Sequence, residues 1–271
     1  MNKLSLDSQV EIISVHVHKT AGGTFGRVLK QVYGESQIFS DYQGENLETV
    51  LVKLLAQQQA RVIHGHFPAQ KYQKHFLSAK RIIWLRNPII QFISGYFFWK
   101  SQSQKGVVFS EEHKSMLDNN MSLLEFAEFR AATNFINPLA DFYCRGVDLT
   151  DFYFVGVQEF FQDDLAELKQ MLGWPDFKRE VFNQNKYPNY LEHVKEALED
   201  KKLLSKLIAM NRQDIQLYQT ALDLRAKRKK LSNSWEQYDL DLKLSQQNLQ
   251  QIQVGLERKQ SLISKKVDLF N

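Results

Sequence analysis

The chain has 271 residues, of which 43% are apolar, and carries a formal net charge of +4. That is enough for one large domain, alone or with an appendage, and for a sizeable core, while the mild positive charge fits an anionic ligand without demanding nucleic acid. The single cysteine, Cys144, excludes an intramolecular disulfide framework, argues against a structural Cys/His metal site, and reads as a small buried hydrophobe.

The opening residues "MNKLSLDSQVEIISV" lack the long apolar core of a signal peptide, and no window reaches 18 uninterrupted apolar residues. The expectation is a cytoplasmic chain with no membrane span. "VEIISVHV" at 10–17 reads as a buried strand because it is short, β-branched and followed by a glycine turn. A helix follows over 24–33, and a second over 46–59 has Asn46 in the N-cap position. "ARVIHGHFP" at 60–68 and "KRIIWLRNP" at 80–88 are two more strands. Pro88 opens the helix "IIQFISGYFFWK", as proline does at a first helical position.

Residues 101–121 are polar and read as a loop or lid, and 122–130 as a short helix. "DFYFVGVQEF" at 151–160 is a fourth strand, followed by an amphipathic helix that closes near Gly173 and Pro175. One or two helices cover 189–222. From Leu231, steps of four and three place eight apolar residues in eleven positions down to Lys266, the pattern of a long coiled-coil-like helix. That helix either lies back on its own domain or joins copies of the chain into a homo-oligomer. The fold class expected is α/β: a three-layer, P-loop-like domain with a mostly parallel sheet over 1–222, then a helical extension over 223–271. The polar turns after residues 17, 64, 85 and 157 all leave strand ends, where such sheets bind ligands.

The first of these turns, "HVHKTAGGT" at 16–24, joins a strand to a helix start. Free backbone N–H groups and the helix dipole converge there, which predicts a bound phosphate or sulfate. Gly22 and Gly23 allow close backbone approach, Lys19 adds a mobile positive charge, and Thr20 and Thr24 add hydroxyls. A Walker A loop requires G-x-x-x-x-G-K-[ST]; here Lys-Thr precedes the glycines, so that assignment fails.

The stretch is instead similar to the H-I-P-K-T-A/G-G-T-S/T loop of sulfotransferases, specifically the carbohydrate-type, heparan-sulfate-like branch. His16, Lys19, Thr20, Gly22 and Thr24 match, whereas His18 replaces the usual proline and Gly23 a hydroxyl residue. "LRNPIIQFISGYFFW" at 85–99 resembles the same family's L-R-D/N-P-x-x-R-x-x-S-x-Y/F segment, with Arg86 and Ser94 in place and Gln91 where the middle arginine stands. "FVGVQEFFQDDLAELKQMLGW" at 154–174 is a third likeness, mainly of apolar spacing. Lys186, in "NQNKYPN", falls where the family places a loop near the nucleotide; an exposed lysine is the other reading. The resemblance covers about residues 10–222.

What the resemblance implies is a donor, 3′-phosphoadenylyl sulfate (PAPS), with PAP as product and no metal. Its 5′-phosphosulfate would lie on Lys19, Thr20, Ala21, Gly22, Gly23 and Thr24, and its 3′-phosphate on Arg86 and Ser94. Transfer to an alcohol also needs a base, and "VIHGHFP" at 62–68 supplies two imidazoles, which are matched to proton abstraction near neutral pH. The segment resembles the family's histidine turn. His66 is the expected base, with His64 assisting, orienting or replacing it. Lys19 would steady the leaving group, His16 reads as structural support, and His18 as a lining of the sulfuryl pocket. A zinc site built from the four histidines does not fit beside Lys19.

The expected function is therefore sulfuryl transfer to a hydroxyl of a saccharide or small metabolite. The acceptor side is less legible: "NFINPLADFYCRG" at 134–146 departs from the family at Leu139, Ala140 and Asp141. Arg130 and Arg145 read as surface ion-pair members, with an anionic acceptor as their other use. Two alternatives stand beside this reading: an ATP-dependent kinase with a degenerate loop, and a non-catalytic coiled-coil adaptor on a relict nucleotide fold.

Overall fold

The computed structural model describes residues 9–134, 136–178, 185 and 187–229. The expected coiled-coil-like stretch from Leu231 and Lys186 lie outside them. Five short strands form one fully parallel sheet: β1 (Ile12–Val15), β2 (Ile38–Asp41), β3 (Val62–Gly65), β4 (Lys80–Leu85) and β5 (Phe154–Val157), in the spatial order β2-β3-β1-β4-β5. The strands are β-branched and aromatic, and nearly every residue is buried, as expected of a parallel sheet covered on both faces.

Alternate strand residues feed two cores. Ile13, Ile63, Ile83 and Val155 face one side, where they meet Val50 and Leu54 of α2 (Leu47–Ala56) together with Tyr72 and Phe76. Ile12, Val62, Ile82 and Phe154 face the other, against Phe25 and Leu29 of α1 (Gly22–Tyr33) and Leu165 and Leu168 of α6 (Phe161–Leu172). This period-2 division is the physical basis of the helix–sheet–helix layering.

A third core is all helical. It joins α3 (Pro88–Ser103), α4 (Glu111–Asp118), α5 (Leu123–Ala132), α7 (Tyr190–Glu199) and α8 (Lys201–Met210) around Ile93, Phe97, Met116, Phe126, Val194 and Leu207. The last described helix is α9 (Arg212–Arg228). One compact unit runs to Leu224; a second begins at Arg225, and its described part is the end of α9.

The two helix-start expectations, at Asn46 and Pro88, hold. Asn46 accepts from Thr49 N at 2.9 Å, and Asn87 accepts from Ile89 N and Ile90 N with Pro88 in the first turn. Three differences have local causes. The stretch read as a polar loop over 101–121 contains the last residues of α3 and all of α4, which Ser110 caps ahead of Glu111 and Glu112. Only His113 and Met116 of α4 are buried, too few to display a helical period. The helical region after 189 is three helices, because Asp200 caps a new start at Lys202 and Leu203 and Asn211 interrupts the chain again. Finally, β2 was not expected: it has four residues between Gly34 and Gly44, both at positive φ.

That edge strand is tightly joined to β3. At Gly65 a Cβ would fall 1.8 Å from the Asp41 carbonyl oxygen, so only glycine allows this approach. Beyond it, His66 N donates to that same Asp41 oxygen at 2.9 Å, and His16 N donates to Gly65 O at 2.8 Å. The ends of β1, β2 and β3 are thereby tied into one platform.

Candidate active site

The turn after β1 holds two non-glycine residues in the left-handed region, Lys19 (φ 61°) and Ala21 (φ 64°), a backbone state uncommon for such residues. Thr20, between them, is fully buried and its hydroxyl donates to Val17 O at 2.8 Å. The hydroxyl expected to meet a ligand is thus used to shape the loop. Ala21 offers α1 no side-chain cap, and the helix has no acid in its first turn. The first intrahelical bond runs from Phe25 N to Ala21 O at 3.0 Å, so the amides of Gly22, Gly23 and Thr24 precede the helical ladder. Uncapped first-turn amides with no acid beside them suit an anion.

Arg86 and Gln91 brace the turn from β4 and α3. Arg86 Nη1 donates to Lys19 O at 3.1 Å and Gln91 Nε2 to His18 O at 2.8 Å. Gln91, where the family pattern has arginine, is a backbone tie here. Arg86 Nε is buried and has no hydrogen-bond partner among the described residues. An orphaned guanidinium nitrogen is costly to bury, and an anionic oxygen satisfies it well. Ser94 is buried on α3, and its carbonyl accepts from Asn185 Nδ2 at 3.2 Å. Lys19 Nζ lies 3.9 Å from the Phe98 ring centroid. Burial, and then the Arg86 charge, lower its pKa to about 8.

Four imidazoles from two chain segments meet beside this turn. His16 stacks on His64 (centroids 5.2 Å apart) and leans on His66 (4.3 Å), and His66 stacks on His18 (3.9 Å, 16° between planes). His16 Nδ1 lies 2.9 Å from the Tyr42 hydroxyl, and its pKa is pushed down to about 2 by burial and then by the charges of its neighbours His64, His66, His18 and Lys19. His64 is 4% exposed, its Nδ1 is 2.8 Å from the Ser14 hydroxyl, and burial is the main cause lowering its pKa to about 4. His66 is partly exposed, and burial lowers its pKa from the usual 6.5, while the hydrogen bond to His16 acts to raise it. Its Nδ1 bonds the His16 carbonyl oxygen. A carbonyl only accepts, so Nδ1 carries the proton and Nε2 presents a lone pair.

Two site residues were not anticipated. Tyr42 follows the unexpected strand β2, edge-on to His66 at 4.9 Å. Tyr143 lies at the end of a π turn, Leu139–Tyr143; its hydroxyl bonds His18 Nδ1 and is 3.5 Å from His66 Nδ1. The turn is held from α9 by the buried Asp214, whose carboxylate accepts from Leu139 N (3.0 Å) and Ala140 N (2.8 Å). Its pKa is raised to about 6 by burial, against those two bonds. π turns recur at functional positions. The sequence signal for Tyr143 is faint: one more aromatic in an apolar run.

The structure also places Cys144 and Arg130. Cys144 is buried, as read. Arg130 is in an ion pair with Glu112 at 2.8 Å but not at the surface, since its side chain is 12% exposed. Among the described residues no group of three or more His, Cys, Asp or Glu is placed to hold a metal, and no helix is long and apolar enough to cross a membrane. An open groove of about 730 Å³ runs along α1 past Gly23, Gly26, Arg27 and Lys30 to Lys178, and Tyr42 and His64 also line it.

A model described as the sulfotransferase family matches residues 3–220. The chain belongs to the sulfotransferase family. Sulfotransferase 2A1 of Macaca fascicularis is 46% identical over 52 residues, which are 18% of this chain and 18% of that relative's length. Among solved structures, mouse sulfotransferase SULT7A1 complexed with PAP is 12% identical, with a TM-score of 0.38 over 80% of this chain and 91% of that one. A sulfotransferase from Alicyclobacillus acidocaldarius is 15% identical, with a TM-score of 0.34 over 74% and 96%. The sulfotransferase match includes every residue of the turn, of the histidine cluster and of the Arg86–Ser94 segment.

Proposed function

We propose that the chain is a PAPS-dependent sulfotransferase that moves a sulfuryl group to a hydroxyl of a saccharide or small metabolite, with His66 as general base. The observation that carries this reading is the Nδ1 bond from His66 to the His16 carbonyl, which aims a basic nitrogen outward beside an anion-binding turn. The donor, when bound, supplies an activated sulfuryl group whose leaving group is a phosphate. The residues present fit it: the Gly22 and Gly23 amides at the start of α1, an orphaned Arg86 Nε and a lysine at one strand edge.

In this reading the amides of Ala21 to Thr24 hold the 5′-phosphate and Lys19 neutralises charge on the departing oxygen. Arg86 and Ser94 meet the 3′-phosphate, with Asn185 steadying that segment. His66 Nε2 takes the proton of the acceptor hydroxyl. His64, on the Ser14 hydroxyl beneath α1, orients the cluster. Thr20 sets the loop's shape.

The family alternatives differ in their ligand. Adenosine 3′,5′-bisphosphate at 100 times its Kd should stabilise the fold by about 2.7 kcal/mol, raising Tm by about 5–10 °C in a domain of this size. ATP with magnesium should do far less. Selective stabilisation by ATP–magnesium would favour the kinase reading, and no response to either would favour the adaptor.

The pH dependence has a defined sign. His66 must be unprotonated, and its pKa is lowered, so kcat/KM should rise with pH and level off below about 6.5. Lys19 must be protonated, and its pKa is about 8, so kcat/KM should fall above that pH. The expected profile is a bell. Lys19→Arg should move the alkaline limb upward and leave the acid limb in place; an unmoved alkaline limb would remove Lys19 from that role.

A further inference from the structure

His18 stands where the family pattern has proline, so its side chain is this chain's own addition to the turn. It is exposed, stacks on His66, and precedes Lys19. Gln91 fixes its backbone through the His18 carbonyl. The question is which of its ring nitrogens carries the proton.

The hydrogen bonds answer it in order. His66 Nδ1 donates to the His16 carbonyl, which can only accept. The Tyr143 oxygen, 3.5 Å from that same N–H, stands on its accepting side. With the phenol proton directed to its other partner, His18 Nδ1, every contact in the cluster joins one donor to one acceptor. Burial raises the pKa of Tyr143, which keeps it a donor. An imidazole that accepts at Nδ1 is neutral and holds its proton at Nε2.

We propose that His18 is a second catalytic residue, whose Nε2–H donates a hydrogen bond to a non-bridging oxygen of the transferring sulfuryl group, with Tyr143 as the positioning residue that fixes its tautomer. The inference rests on the sulfuryl-transfer reading above. Two stacked rings thus take complementary parts: His66 offers a lone pair and His18 a donor. In the step, the acceptor O–H bond breaks and its proton goes to His66 Nε2. The acceptor O–S bond forms, and the S–O bond to the 5′-phosphate breaks with its electron pair leaving on the bisphosphate. His18 transfers no proton; it stabilises charge that grows on the sulfuryl oxygens.

The test has two arms on the full chain. The first is ¹⁵N NMR of histidine-labelled protein, which distinguishes a protonated from an unprotonated ring nitrogen and needs no substrate. His18 should be protonated at Nε2 and His66 at Nδ1, and Tyr143→Phe should leave His18 in mixed tautomers. Protonation of His18 at Nδ1 in the native chain overturns the proposal.

The second arm is single-turnover decay of radiolabelled PAPS with water or a simple phenol as acceptor. His18→Ala should slow it about 100-fold with Kd for PAP unchanged, whereas His18→Gln, which keeps a donor near Nε2, should stay within about 5-fold of the native rate. Tyr143→Phe should lower kcat about 10-fold without raising KM for the donor. A His18→Ala protein at the native rate, or a His18→Gln protein as slow as His18→Ala, overturns it. If the native chain neither binds PAP nor consumes PAPS, the sulfuryl-transfer reading and the catalytic part of the proposal fall together; PAP binding and PAPS decay with a native-rate His18→Ala variant sink the His18 proposal alone.

Discussion

Lys19→Ala is expected to lower kcat by ~10²–10³ while the protein stays folded and still binds adenosine 3′,5′-bisphosphate. Lys19 is held in a strained left-handed backbone state by the turn itself, and among the described residues its side chain has no ion-pair partner and lies over the Phe98 ring. Alanine therefore removes little packing. What it removes is a mobile cation at the turn, whose pKa burial and then the Arg86 charge lower to about 8. Charge on the leaving phosphate is largest in the transition state, so the loss should appear in kcat more than in donor affinity. Lys19→Met, which keeps the stem over Phe98, should fail equally. Native kcat in either variant, with unchanged melting, would discard the assignment.

His66→Asn should abolish turnover to a similar degree, about 10²–10⁴-fold. Asparagine retains an N–H near the position of Nδ1 and so keeps a donor for the His16 carbonyl, but it has no basic nitrogen. The comparison isolates proton abstraction from scaffold. Both variants lose the ring stacked on His18 and His16, but His66→Ala also loses the donor to the His16 carbonyl, so its melting temperature should drop below that of His66→Asn. Partial rescue of His66→Ala by added imidazole would identify the missing group as a base. A fully active His66→Asn enzyme would move the base elsewhere, with His64 the next candidate despite its 4% exposure.

The sequence made most of this site readable because its pieces are local. A strand, a glycine turn and an uncapped helix start are contiguous at 12–33, and Pro88 announces the helix behind Arg86. The parts that escaped are those whose meaning is set by partners far along the chain. Tyr143 acquires its role from His18, 125 residues away, and its position from Asp214, 75 residues from Leu139. Tyr42 depends on β2, a strand too short to show a period and recognisable only once Gly65 lets it dock. Thr20 shows what residue type alone does not reveal: its hydroxyl donates to Val17 O and so shapes the loop.

Gly22 is the final point. A Cβ there would lie 1.8 Å from Cδ2 of His16, inside the ring's own volume. The turn's glycine is thus dictated by an imidazole as much as by any phosphate. The constraint runs one way: a side chain at 22 requires a smaller residue at 16, and losing His16 would release the Tyr42 hydroxyl and unseat the stack below it. Relatives with a side chain at 22 should lack the histidine at 16, while those with a smaller residue at 16 can keep the glycine.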